Sequence, residues 1–200
     1  MLTTPKGVAV YPHLTKPDTK FNAEGVYTIK LKLEGADAEK LAKEIDAGID
    51  ASGVEAKADK KNAGKKIKRA DPPYSRKDDG SIEFSFKMNA TGKTKEGEVF
   101  TRKPIIFDKS AKPVQGLRIG GGSIVKVGYE MVPFFTALVG AGVTLRLHAV
   151  QVLELVEYGA NAAYYGFGNE APEGETEAAA VAETVPAAEA QTEPEDGSAF

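Results

Sequence analysis

The sequence predicts a mainly β fold, a small closed or partly open barrel of about five to six strands with one amphipathic helix. Three observations carry this. Apolar residues alternate with a period of two through most of the first 156 positions, one segment alone has helical spacing, and the last 32 residues have neither pattern. A sandwich is the structural alternative.

The elements follow in order. Lys6 to Tyr11 is a short strand. Gly25 to Leu33 places Tyr27, Ile29, Leu31 and Leu33 on one face and Lys30 and Lys32 on the other. In DAEKLAKEIDAGI, Ala38, Leu41, Ala42, Ile45 and Ile49 recur at helical spacing behind Asp37, which is placed to act as N-cap. Ile82 to Met88 alternates again, with Ile82, Phe84, Phe86 and Met88 facing the core and Glu83, Ser85 and Lys87 facing away. Val99 to Phe107 is a strand in which Pro104 forces an edge or bulge, and Ser123 to Val132 and Gly142 to Val156 complete the set.

Composition narrows the chemistry. The chain has 200 residues and no cysteine, which excludes disulfide frameworks, thiolate metal sites and cysteine nucleophiles. His13 and His148 are far apart and neither opens a spaced ligand pair, so no metal and no cofactor is expected. No Ser-centred elbow occurs, and Asp78-Asp79 precede Gly80 in what reads as a solvated turn. Gly92-Lys93-Thr94 imitates the end of a phosphate-binding loop, but Lys87 stands where the motif needs a glycine, so a hairpin turn is expected. Gly120-Gly121-Gly122 precedes a strand rather than a helix and reads as a turn. These features give a protein that is not an enzyme. With no signal-like or membrane-spanning apolar stretch, it is expected to be cytosolic and without membrane contact.

Charge is distributed unevenly. Of the 29 acidic residues nine lie in 169–200, where no base occurs, which leaves 20 against all 26 Lys and Arg in 1–168. The body is therefore basic and the tail acidic, the asymmetry of a polyanion-binding domain with a charged appendage. The expected boundaries are a domain over 1–168, containing a basic loop at 54–77, and a disordered tail over 169–200. Within that loop, residues 57–77 hold nine bases against Asp59 and Asp71, and Pro72-Pro73 ends any helix, so a mobile exposed arm suited to phosphate backbones is expected. Aromatic residues lie among the bases: Tyr74 in the arm, Phe100 before Arg102 and Lys103, Phe107 before Lys109, Tyr129 after Lys126. Bases that neutralise phosphates beside rings that stack on nucleobases form the pattern of a single-strand binder, with Tyr74 the leading stacking candidate.

Three segments, KGVAVYPHLTKPDTKFNAEGVYTIKL at 6–31, GVTLRLHAVQVLEL at 142–155 and the terminal EPEDGSAF, resemble in their order the phage-encoded single-stranded DNA-binding proteins with an OB-type barrel and an acidic tail ending in an aromatic residue. The resemblance implies an OB-type, partly open Greek-key barrel whose cleft holds single-stranded DNA during replication, recombination and repair of the phage genome, in the cytoplasm of the infected bacterial host. It also implies a tail that competes for the cleft and contacts polymerase, helicase or primase, which assigns Glu193, Glu195, Asp196 and Phe200 to partner contact. An oligomer is compatible with it. The family has no short invariant DNA-contact signature, so DNA-binding residues are chosen physically, as bases opposite the apolar stripes or beside aromatics: Lys65, Lys66, Lys68, Arg69, Tyr74, Arg76, Lys77, Arg102, Lys103, Arg118, Lys126 and Arg146. Two readings compete, a phage structural or adaptor β-protein without nucleic-acid binding, and a metal-dependent nucleic-acid-processing enzyme.

Overall fold

The computed structural model describes residues 1–20, 22–94 and 96–156. In chain order these form β1 (Leu2–Thr3), β2 (Gly7–Asp18), β3 (Val26–Leu33), the helix α1 (Gly35–Ala58), a short 3-10 turn (Lys60–Asn62), β4 (Tyr74–Arg76), β5 (Ile82–Asn89), β6 (Thr91–Lys93), β7 (Val99–Thr101), β8 (Ile105–Phe107), β9 (Pro113–Val114), β10 (Ile124–Thr136) and β11 (Gly140–Glu154).

Five strands close on themselves. β2 pairs with β3 and β3 with β5, both antiparallel. β5 meets β11 in parallel, β11 runs antiparallel to β10, and β10 returns to β2. This is the circuit of an OB-type barrel. The closure is uneven, because β10 and β11 pair over 13 residue pairs whereas β5 and β11 share only Lys87 opposite Arg146.

The apolar stripes meet inside. Tyr27, Ile29, Leu31 and Leu33 of β3 face Ile82, Phe84, Phe86 and Met88 of β5, and Val125, Val127, Tyr129, Leu145 and Leu147 complete the core. Phe86 and Tyr129 meet edge to face, with ring centroids 5.2 Å apart. The helix lays the expected residues, Ala38, Leu41, Ala42, Ile45 and Ile49, on this core.

Several elements differ from expectation for identifiable reasons. The helix begins at Gly35 with Glu34 as N-cap and no side-chain cap, rather than at Asp37, and it runs on to Ala58. Its last turns were hidden because they bury only Ser52 and Ala56, small residues that continue the spacing of Ile45 and Ile49 without raising hydrophobicity. The strand expected over Lys6 to Tyr11 is β2 and extends to Asp18 through Pro12 and Pro17, since both prolines fall where the register with β3 breaks and no ladder N–H is needed. Buried Pro104 divides the strand expected over 99–107 into β7 and β8. Gly92 and Lys93 lie within β6, and the hairpin turns further on, where Thr94 N–H donates to Glu98 O at 2.8 Å. Gly120–Gly122 do form a turn, closed by the buried Ser123 hydroxyl, which donates to Gly120 O at 2.9 Å.

Replacing Phe84, fully buried on β5 against β3 and Tyr74, by alanine should cost about 3–5 kcal/mol of stability by urea unfolding. A loss below about 1 kcal/mol would show that the barrel core is not packed around this ring.

Candidate nucleic-acid interface

The single ladder pair between β5 and β11 sets the geometry of the site. Cα pairing places Lys87 directly beside Arg146, and the neighbouring registers extend the row to Thr28 and His13 on one side and to Glu130 on the other. Like charges opposite one another in a sheet repel, so this pair is tolerated where an anion joins them. Arg146 Nη1 reaches Glu130 Oε2 at 3.3 Å and His148 Nε2 approaches the same oxygen at 3.4 Å. Lys87 has no ion pair among the described residues.

Over this row runs a groove formed by two contiguous hollows of about 530 and 180 Å³ that share Lys87, Phe134 and Thr144. Lys30, Lys87, Arg102 and Arg146 supply cations along it, Tyr11 and Phe134 supply rings, and Asp18 and Asp71 are the acids of its wall. Phe134 can lie over the sheet because its cross-strand partner is Gly142. A Cβ there would stand 2.9 Å from Phe134 Cζ and 2.7 Å from Ala70 Cβ. Arg102 rests its guanidinium 4.7 Å from the centre of the Phe100 ring, at the mouth of the β6–β7 hairpin. Tyr11 is exposed and Phe134 half-buried, and a basic track that offers aromatic rings can hold phosphates and stack bases without reading sequence.

The family model described as the single-stranded DNA-binding protein of bacteriophage T7 matches residues 6–155. The chain belongs to this family. Among its relatives, the single-stranded DNA-binding protein of Enterobacteria phage T3 is 32% identical over 171 residues, covering 74% of this chain and 73% of that protein. The corresponding protein of Escherichia phage T7 is 36% identical over 94 residues, 44% and 40% of the two chains. A crystal structure of the single-stranded DNA-binding protein encoded by bacteriophage T7 matches with a TM-score of 0.70 at 27% identity, covering 89% of this chain and 98% of the other. The single-stranded DNA-binding protein from bacteriophage Enc34, solved in complex with ssDNA, shares the fold with a TM-score of 0.58 at 17% identity over 78% and 88% of the chains.

For this family member the structure divides the residues expected to touch DNA. Arg102 and Arg146 lie in the groove. Arg118 lines a separate hollow beside β2, and Lys103 a small one with Pro104 and Ile105. Lys126 is half-buried on β10, opposite Gln151. Lys65, Lys66 and Lys68 are exposed, Lys65 Nζ donating to Asn62 Oδ1 at 3.2 Å.

The expected mobile arm does not form over 68–77. Ala141 N–H donates to Lys68 O and Ala70 N–H to Ala141 O, both at 2.8 Å, and β4 pairs with β5. Arg69 bridges to Asp46 at 2.7 Å and Asp50 at 3.2 Å, Arg76 forks onto Glu39, and Lys77 pairs with Glu83 at 3.0 Å. Tyr74, the expected stacking residue, lies against Phe84 with centroids 5.6 Å apart and donates its hydroxyl to Asp46 at 2.9 Å. These four side chains bind the helix and β5 instead of facing the groove. The physical reason is that acids of α1 pair with Arg69 and Arg76 and Glu83 of β5 pairs with Lys77. Asp79 is likewise not simply solvated, since it takes Lys32 Nζ at 2.6 Å and caps the turn through Ser81 N–H at 3.0 Å.

Tyr11, Lys30, Lys87 and Phe134 were missed as site residues. The alternation already put Lys30 and Lys87 on solvent faces, but only the register between strands brings them to one groove. Glu193, Glu195, Asp196 and Phe200 lie outside the described residues, as does the boundary at 168.

The clamp between arm and helix should be acid-labile. Hydrogen bonds from Arg76 hold the Glu39 carboxyl below its ordinary value, and outside the clamp those from Lys32 and Ser81 hold Asp79 well below. At Asp46 partial burial opposes ionisation, but hydrogen bonds from Arg69 and Tyr74 outweigh it and lower the carboxyl too. Depressed carboxyls contribute stability that is present above the unfolded values, about pH 4, and lost as pH falls through the lower folded values. Urea midpoints should therefore drop below about pH 4, and Asp46→Asn should flatten that dependence. An identical pH dependence in this variant would remove Asp46 from the clamp.

Proposed function

We propose that this protein binds single-stranded DNA without sequence preference, coating and protecting it during phage DNA replication, recombination and repair in the cytoplasm of the infected bacterial host. The observation that carries the proposal is the cationic pair Lys87 and Arg146, set side by side at the barrel seam beneath a groove that also presents Tyr11, Phe134 and Arg102. Family membership supports it, since the relatives from phages T3 and T7 are named for binding single-stranded DNA.

In this mechanism a phosphate displaces Glu130 from Arg146 and bridges to Lys87, bases stack on Phe134 and Tyr11, and Lys30 and Arg102 meet neighbouring phosphates. Released counterions supply the sequence-independent affinity. The protein acts by binding and not by turnover, and it needs no cofactor. Lys65, Lys66, Lys68, Lys103 and Lys126 form a diffuse basic surround. We extend the proposal to the domain 1–168 and the acidic tail 169–200. The tail competes for the groove, and its Glu193, Glu195, Asp196 and Phe200 dock on replication partners such as polymerase, helicase or primase.

Fluorescence anisotropy with labelled oligothymidine tests the groove. Lys87→Ala and Arg146→Ala should each weaken binding and make the slope of log affinity against log salt shallower by about 0.7. Phe134→Ala should cost about 1–3 kcal/mol with little change in that slope. Glu130→Gln, which removes the competitor for Arg146, should tighten binding. Wild-type affinity in both lysine and arginine variants would overturn the assignment. Residues 1–168 alone should bind more tightly than the full chain, and equal affinity would dismiss competition by the tail.

A further inference from the structure

A second hollow of about 850 Å³ lies along β2, between Val8–Lys16 and Arg118–Gly122. The two segments are tied at its ends, where Gly122 N–H donates to Ala9 O at 2.9 Å and Thr15 Oγ1 to Leu117 O at 3.3 Å. Val10, Leu14 and Ile119 give it an apolar lining, and Gly120–Gly122 leave one wall without side chains. Lys16 and Arg118 are exposed on it with no ion-pair partner among the described residues, and none of the described residues that line it is a carboxylate. That contrasts with the barrel groove, whose wall includes Asp18 and Asp71.

Tyr11, together with His13, joins the two hollows, since both residues line each of them. The Tyr11 φ of 46° is in the left-handed region, which non-glycine residues rarely adopt. It sits where β2 slips against β3 between Val10 and His13, and this bulge turns the ring out to 75% exposure. Strain retained to expose an aromatic ring, instead of packing it, marks a contact surface.

We propose that the second hollow continues the single-stranded DNA track. The strand leaves the barrel groove, crosses Tyr11 as a stacking crest, and lays further nucleotides against the apolar lining with their phosphates at Lys16 and Arg118. Continuity through Tyr11 and the absence of lining carboxylates favour this occupant over a protein segment. The inference rests on the single-stranded DNA binding proposed above, and adds to it a longer, bent path.

Anisotropy titrations with oligothymidines of increasing length separate the two. The double variant Lys16→Ala with Arg118→Ala should bind the shortest retained oligonucleotide like the wild type. It should lose the affinity gained by lengthening, with a salt slope on long strands shallower by about 0.7 for each lost contact. Tyr11→Ala should weaken long strands by about fivefold or more, and Tyr11→Phe should restore them. Wild-type affinity and slope for the double variant at every length, with Lys87→Ala still impaired, would overturn the second track, keep the barrel groove and leave the hollow to another occupant. Failure of the wild type to bind any length would overturn both. Lys16 and Arg118 make no side-chain hydrogen bond or ion pair among the described residues, so the double variant decides the matter even if Tyr11→Ala does not fold.

Discussion

Closure of the barrel through one parallel contact is the constraint on which the rest of this structure depends. β10 and β11 form a long hairpin, but β11 pairs with β5 only where Arg146 lies opposite Lys87. A fully zipped seam would fill this face with ladder hydrogen bonds and leave a flat surface. A seam joined at one point leaves a trough, and the residues at the point of closure are both cations. Architecture and electrostatics are thus the same feature: the place where the barrel closes least is the place most suited to an anion.

Phosphate binding and structural ion pairing compete for the same residue types, and this protein separates them spatially. The arm at 68–77 carries bases that any count of sequence charge would offer to DNA. Its Arg69 and Arg76 turn instead to Asp46, Asp50 and Glu39 on α1, while its backbone joins the start of β11. Gly140 permits that junction, because its φ of 107° and the adjacent Lys68 carbonyl leave no place for a side chain. The docked arm then contributes Asp71 and Pro73 to the groove wall. Exposed ion pairs are individually weak, but here several act with a sheet pairing and a ring contact on one short segment.

The aromatic residues divide in the same way. Phe84 and Phe86 are core, as alternation indicates, and Tyr129, which the sequence sets among the bases as a ring that could stack, is buried with them, because all three occupy inward positions of central strands. Tyr11 and Phe134 stay accessible for local reasons: a bulge with a left-handed residue for the first, a glycine partner across the hairpin for the second. Neither device can be read from hydrophobic periodicity, which gives the facing of regular strands and says nothing about where a strand departs from regularity.

The residues by themselves determined the class of fold, the inward stripes of β3, β5 and the helix, the basic body with its acidic tail, and the resemblance of three ordered segments to a phage family. These are local properties, set by side-chain spacing and composition over a few turns or strand lengths. Tertiary structure alone decided which bases share a groove. Lys30, Lys87, Arg102 and Arg146 are brought together by register and closure among strands far apart in the chain, while Arg69, Arg76 and Lys77 are drawn away by acids on neighbouring elements. A charge is legible in sequence, but its partner is chosen by distance in space, and only the folded chain sets that distance.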